Sequence, residues 1–256
     1  MKYFLIFIFL VLPFSSCKNK LTFEEQTFEK KSHLPCNLNC PSITVKIPVA
    51  KGIPLVADNI NKKVFTVTKL FVDPSHSSVS HDSLVKIQLN TNINYDSLLN
   101  TYIDYCEKKK IEKGGNSDHT FGNRFKIRGN VKYQSDKIID IQYNISITSK
   151  AGSWVYPPDF ETMISLVFDA KTGKFISNEV LFKDIKAFTT FAEQKVRKKF
   201  KNLFRGEEEF RLPQTFLFTN NGLLLYYNRF EIDGRSEVAH ELLLPYEEVE
   251  TYLIAR

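Results

Sequence analysis

The sequence contains no Gly-x-Ser-x-Gly elbow, no His-Glu-x-x-His and no Walker loop. The first absence removes the exposed serine of an α/β-hydrolase, the second a zinc-peptidase helix, the third a phosphate cradle. No internal repeat and no low-complexity tract is present. Beyond the first residues, no apolar run approaches the roughly 20 residues that a membrane-spanning helix needs. Trp occurs once, and there are five His and four Cys among 256 residues. Charge of neither sign is segregated. The formal net charge is +6, and the Lys108-Lys109-Lys110 cluster and the basic stretch 195–201 are offset by acids such as Glu207-Glu208-Glu209. A nucleic-acid partner would call for a basic face and a matching motif, and neither is visible. No catalytic residue, metal or cofactor is expected.

What is present begins at the first residue. Lys2 precedes an apolar run over residues 3–12, then Pro13-Phe14-Ser15-Ser16-Cys17. A positive start, a short apolar core and small residues before a cut site make a secretory signal peptide over residues 1–16. Ser-Ser-Cys resembles the lipobox of bacterial lipoproteins, in which Cys17 is acylated and becomes the mature N-terminus. Phe14 stands where such signals usually carry Leu, Val or Ile. The expected location is therefore the bacterial cell envelope, with the chain held to a membrane through lipid on Cys17. A plain secretory signal with an incidental Cys is the alternative. Loss of Lys2 with the leader leaves a net charge of +5 (6 minus 1).

Cys36, Cys40 and Cys106 then remain. In an exported chain Cys36 and Cys40 can close a small disulfide ring, or one of them can reach Cys106, and an odd count leaves one thiol free. His33 beside this pair invites a metal reading that needs a further ligand. His76 and His81 near Asp73 and Asp82 invite a weaker one, against a polar surface loop. Ser117-Asp118-His119 evokes a triad fragment, but adjacency in sequence is not triad geometry.

The patterns of the folded part are mixed. Residues 18–40 are polar and aperiodic and read as a tether from lipid to domain. Residues 42–50 alternate as a strand. Val56, Ile60, Val64 and Val67 recur at helical spacing, although the β-branched half could compete as a strand. Residues 83–89 read as a strand. Asp96 is positioned to cap a helix with Leu98, Leu99, Tyr102, Ile103 and Cys106 on its apolar stripe, ending before Gly114-Gly115. Cys106 is thereby expected to be a buried structural thiol. Alternation then predicts strands through Phe125 and Ile127, through Ile139, Ile141, Tyr143, Ile145 and Ile147, and over residues 163–168. Residues 169–174 form a turn, with Gly173 supplying positive φ. An amphipathic helix carries Phe188, Ala192, Val196 and Phe200. Asn221-Gly222 between apolar runs predicts a hairpin. A strand at 241–244 and a short helix from Pro245 close the chain. The fold class is α+β, antiparallel β meanders packed with two or three helices. Two closely joined subdomains are expected, 42–158 and 159–256, after a signal peptide (1–16) and a tether (17–41).

The C-terminal succession is distinctive. Phe168-Asp169-Ala170-Lys171-Thr172-Gly173-Lys174 is followed by Val180-Leu181-Phe182-Lys183-Asp184. Then come Phe216 to Leu223, Tyr227-Asn228-Arg229-Phe230-Glu231-Ile232 and Leu244-Pro245-Tyr246-Glu247-Glu248-Val249. This order resembles a family of extracytoplasmic domains of unknown function. The family occurs in the outer half of the lysozyme-sensing anti-sigma-V factor, beside the catalytic domain of certain peptidoglycan deacetylases, and in many bacterial lipoproteins. The resemblance covers roughly residues 160–255, and more faintly a companion domain upstream. It implies a non-catalytic envelope protein, with a lysozyme-like enzyme or a peptidoglycan fragment as ligand. The family's Gly-rich turn with a His is replaced here by residues 149–158, which hold Trp154, and its aromatic-Pro turn by Asp233-Gly234-Arg235-Ser236.

Trp154, Tyr156 and Phe160 form the candidate binding segment. A stiff loop bearing aromatics gains contact area on a glycan or protein with little rotamer entropy lost. The competing reading folds Trp154 and Phe160 into the core. Asp159 and Glu161 are the acids that an envelope hydrolase would use in the same place, and a purely structural lipoprotein is the third reading.

Overall fold

The computed structural model describes residues 20–34, 40–73, 81–89, 92–112, 124–148, 160–203 and 209–254. Leu21 leads into β1 (Thr22–Lys31), which pairs antiparallel with β2 (Ser42–Lys51). Three helices follow: α1 (Pro54–Val72), α2 (His81–Lys86) and α3 (Tyr95–Glu112). The chain returns as β3 (Arg124–Gln134), β4 (Ile138–Thr148), β5 (Phe160–Asp169) and the short β6 (Phe175–Ile176). These six strands form one sheet in chain order. Beyond them lie α4 (Asn178–Leu181), α5 (Ile185–Lys199), a second sheet of β7 (Thr215–Phe218), β8 (Gly222–Tyr227) and β9 (His240–Pro245), and α6 (Tyr246–Val249). The architecture is α+β. Every pair in the larger sheet is antiparallel except β2 with β3, which run parallel because the helical crossover lies between them.

β4 shows why there are two cores. Ile139, Ile141, Tyr143, Ile145 and Ile147 point to one face and pack with α1 and α3. Ile138 points the other way, into a second core with α5, the small sheet and α6. Period-two alternation with both faces covered yields a strand buried on each side. The two cores thus share the larger sheet as a wall. The expected boundary at 158/159 falls between β4 and β5, which are neighbours in that sheet.

Three local expectations are corrected. The tether reading fails over residues 22–31, which form β1. Its burial barely alternates because it is an edge strand with exposed charge, so the strand left no apolar signature. Residues 83–89 are not a strand: α2 runs to Lys86. Leu84 is buried and Ile87 half-buried while Val85 is exposed, a three-residue spacing that only a helical turn satisfies. Third, Asp96 lies in the first turn of α3, and Asn94 Oδ1 accepts the Ser97 N–H at 2.9 Å in the capping role. The apolar stripe of α3, Cys106 included, is buried as its spacing predicts.

Several residues of the C-terminal succession prove to be turn and cap chemistry. Asp169 Oδ1 accepts from Thr172 N at 2.7 Å and Lys171 N at 3.1 Å, and Gly173 takes φ +69°. Asp184 caps α5 by accepting from Lys186 N and Ala187 N, each at 3.0 Å.

Candidate functional site

The small sheet is tied to the larger one by polar side chains buried at the seam. Asp140 lies on the second-core face of β4 and is fully buried. Its Oδ1 accepts from Ser165 Oγ at 2.6 Å and its Oδ2 from Phe218 N at 2.7 Å. Desolvation pushes its pKa up to about 7, against the opposing pull of those two hydrogen bonds and of Lys132.

Asn228, just past β8, acts as an extra pairing residue for β5. Its Oδ1 accepts from Met163 N at 2.7 Å and its Nδ2 donates to Met163 O at 3.0 Å. Thr162 Oγ1 donates to Asn228 Oδ1 at 3.1 Å, and Thr215 Oγ1 to Met163 O at 2.9 Å. Glu231 completes the joint, accepting from Gln214 N at 2.5 Å and Asn228 N at 2.7 Å. Burial raises its pKa, against those hydrogen bonds. Between Asn228 and Glu231 the chain makes a tight turn in which Phe230 takes φ +64°, a costly conformation for a bulky residue. The Phe230 ring is half exposed beneath the Arg229 guanidinium, 5.6 Å away.

A cleft of about 470 Å³ opens beside this joint. One wall comes from the distal ends of β4 and β5, with Asn144, Ser146, Glu161 and Thr162. The other comes from Tyr226, Asn228, Arg229 and the segment before β9, where Glu237 and the exposed Val238 stand. The Tyr226 pKa is raised, first by desolvation and then by the charges of Glu241, Glu161 and Glu231. The segment before β9 is held by Asp233, whose carboxylate accepts from Ser236 N at 2.7 Å and Arg235 N at 2.9 Å. Those bonds lower the Asp233 pKa. Ser236 Oγ and His240 Nε2 lie 2.7 Å apart, and the His240 ring sits edge-on to Phe200. The lining thus offers amide, hydroxyl, carboxylate and guanidinium groups around a small apolar contact, the chemistry that glycans and peptide surfaces match.

The sequence-based candidates fall around this cleft unevenly. Trp154 and Tyr156 lie outside the described residues, in the connection whose two ends, Thr148 and Phe160, flank the cleft-lining parts of β4 and β5. Phe160 itself is half-buried and packs against the first core, as the competing reading had it, and is not part of the lining. Glu161 lines the cleft, while Asp159 lies outside the described residues. Tyr226, Asn228 and Arg229, which the sequence pattern does not single out for binding, are lining residues. Asn228 and Arg229 stand in the Tyr227-Asn228-Arg229-Phe230-Glu231-Ile232 stretch, and Tyr226 immediately precedes it.

Cys40 is disulfide-bonded, and its expected partner Cys36 lies outside the described residues, as does Cys17. Cys106 is a free, buried thiol. Among the described residues no cluster of three or more His, Cys, Asp or Glu can hold a metal ion. No helix among them is long and apolar enough to cross a membrane.

Solved structures with a similar fold include two DUF3298 proteins. One is a member of the DUF3298 family from Bacteroides fragilis, with a TM-score of 0.62 at 14% identity over 92% of this chain and 94% of that one. The chain has the DUF3298 fold. The other is a DUF3298 family protein from Pseudomonas aeruginosa PAO1, with a TM-score of 0.59 at 14% identity over 92% and 95%. No family model and no curated protein matches the sequence. A DUF3298 fold is a domain of unknown function, the kind of family the C-terminal succession resembles.

Proposed function

We propose that this protein is a non-catalytic, lipid-anchored component of the bacterial cell envelope that binds a protein or glycan at the cleft between its two sheets. The observation that carries the reading is the employment of the two acids, among the described residues, whose pKa values are raised. Asp140 and Glu231, whose pKa values burial raises, are both consumed as ties between the sheets, and Asp140 has no exposed surface at all. A proton-transferring acid must reach its substrate. The cleft keeps groups suited to recognition instead: Arg229, Tyr226, Ser146 and Asn144. The aromatic segment with Trp154 and Tyr156 joins the two strands of one wall. The sequence resemblance directs the choice of ligand toward lysozyme-like enzymes and peptidoglycan fragments, and the Ser-Ser-Cys17 signal supports anchoring.

The test is calorimetric titration of residues 18–256 with a lysozyme and with muropeptides. Binding at roughly micromolar Kd is expected, weakened about tenfold by Arg229→Ala and by Trp154→Ala. Absence of heat with both ligands overturns the recognition reading and leaves a structural lipoprotein.

One observation favours a second reading. Glu161 and Glu237 line the same cleft, and a glycosidase acts through two carboxyls facing each other. Muropeptide turnover that Glu161→Gln abolishes would establish a hydrolase, whereas binding without turnover, retained in that variant, excludes it.

A further inference from the structure

We infer that the end of the larger sheet nearest Cys17 is a membrane-apposed surface that rests on anionic lipid headgroups and holds the cleft away from the bilayer. The inference rests on the proposed lipidation of Cys17 and deepens it by naming the partner of a second surface.

The argument starts from chain length. Leu21 is buried in the first core, and its carbonyl accepts from Gln134 Nε2 at 3.4 Å. Only residues 18–20 separate it from Cys17, four Cα steps or about 14 Å at full extension. The headgroup layer itself is roughly 5–8 Å deep. A lipid on Cys17 therefore brings the domain against the membrane, since the presumed spacer is spent in forming β1.

The segments that meet there are tied to one another. A Cβ on Gly52 would lie 2.2 Å from Lys20 O, so the β2–α1 connection packs directly on the incoming chain. A Cβ on Gly173 would lie 2.3 Å from Val56 O, and Asn59 Nδ2 donates to Thr172 O at 2.8 Å, which joins the 169–174 turn to the start of α1. Ala170 N donates to Lys137 O at 2.8 Å, which joins that turn to the β3–β4 turn. On this continuous rim Lys20, Lys137, Lys171 and Lys174 are exposed, beside Lys51, whose charge Glu24 offsets. Leu55 projects at 70% exposure and Ile53 at 36%. Of the nearby acids Glu24 pairs with Lys51 and Asp58 with Lys62 at 2.6 Å. Asp136 is exposed, and Asp169 accepts hydrogen bonds from its own turn while keeping its charge, so Lys20, Lys137, Lys171 and Lys174 outnumber these two acids. On the opposite face of the sheet α6 carries Glu247 and Glu248, the latter paired with Lys195 at 2.6 Å, and the basic residues Arg197, Lys198 and Lys199 stand at the last turn of α5. Exposed aliphatics ringed by Lys match the two requirements of an anionic interface, apolar insertion and charge.

The geometry also separates anchor from cleft. Ile138 opens β4 at the rim, and Ser146 lines the cleft eight residues further on, roughly 26 Å away at strand rise. The membrane contact thus presents the cleft outward.

The test uses residues 18–256, which contain every residue of both cores, with an environment-sensitive fluorophore on Leu55→Cys or, at the far end of β4, on Thr148→Cys. Each is mixed with vesicles of phosphatidylcholine alone or with 30% phosphatidylglycerol. The expected result is a blue shift at position 55 with anionic vesicles only, no shift at position 148, and loss of the shift when Lys137, Lys171 and Lys174 are changed to Glu. Absence of a shift at position 55, equal shifts at both positions, or a shift indifferent to the charge reversal overturns the inference. Palmitate labelling of the full chain beside Cys17→Ser tests the anchor separately. Label absent from Cys17 with the vesicle result intact removes the lipoprotein reading alone, and label present without a vesicle response removes the surface alone.

Discussion

The carboxylate of Asp140 on β4 accepts the backbone N–H of Phe218 on β7 across 2.7 Å of fully buried space. One side chain thereby joins two sheets, and it does so as an acid held near neutrality. A carboxyl with a folded pKa of about 7 binds more protons folded than unfolded between pH 4 and 7. Stability must therefore fall as pH rises through that window and level off above it. Asp140→Asn keeps an acceptor for Phe218 N and a donor for Ser165, and it cannot ionise. The variant is expected to lose the fall, gaining up to about 3 kcal/mol relative to wild type between pH 5 and 8. Urea melts at the two pH values check this, and parallel curves would refute it.

Asn228→Ala removes both hydrogen bonds to the Met163 backbone and leaves that N–H without its partner at the sheet joint, the C=O keeping only Thr215 Oγ1. A loss of about 2–3 kcal/mol is expected. Asn228→Asp retains the acceptor, discards the donor and sets a second carboxylate beside Glu231, so it should be no better than Ala. Denaturant midpoints decide the order.

Gly222 shows a requirement that differs from the usual Asn-Gly turn. Its φ is not positive, and the hairpin turn is closed by Thr219 Oγ1, which accepts from Gly222 N at 3.1 Å and Asn221 N at 3.2 Å. Glycine is needed because a Cβ would stand 2.2 Å from Leu244 O on β9. Gly222→Ala should cost about 2–4 kcal/mol by pushing β9 from β8, and an unchanged melting temperature would show that the strand yields freely.

Lys63 is buried with its ammonium donating to Leu84 O and 4.3 Å from the Phe175 ring centroid. Burial lowers its pKa to about 8. A lysine with a depressed folded pKa carries its desolvation cost in full below pH 8 and sheds it as pH rises toward 10.5. Lys63→Met should stabilise the protein by about 1 kcal/mol at pH 7, with the advantage vanishing by pH 10. A variant less stable at pH 7 would show that the contacts outweigh the desolvation.

Cys106 has its thiol pushed up to about 11, mainly by burial. It should react with a thiol reagent at least a hundredfold more slowly in the native protein than in urea. Fast native labelling would mean that α3 opens readily.

These predictions mark where sequence pattern stops. The strands from β3 to β5, α3, α5 and the hairpin were legible because apolar residues recur at two or near 3.6, and burial then follows that spacing. β1 was not, because an edge strand with charge on both faces carries no such period. The cleft was half legible. Glu161 was picked out by composition, whereas Tyr226, Asn228 and Arg229 became lining residues only because β7 packs beside β5 and brings Asn228, just past β8, against Met163.

The local sequence by itself determined the α+β class, the apolar faces and the turn and cap residues, since those depend on neighbours a few positions apart. Tertiary structure alone decided that β2 and β3 run parallel, that residues 83–86 coil into α2, and that Asp140 and Asn228 tie one sheet to another. Each depends on a partner far away in the chain: the helical crossover for β3, Lys63 for Leu84, Phe218 for Asp140 and Met163 for Asn228. Interactions over such separations leave no periodic trace in the order of residues.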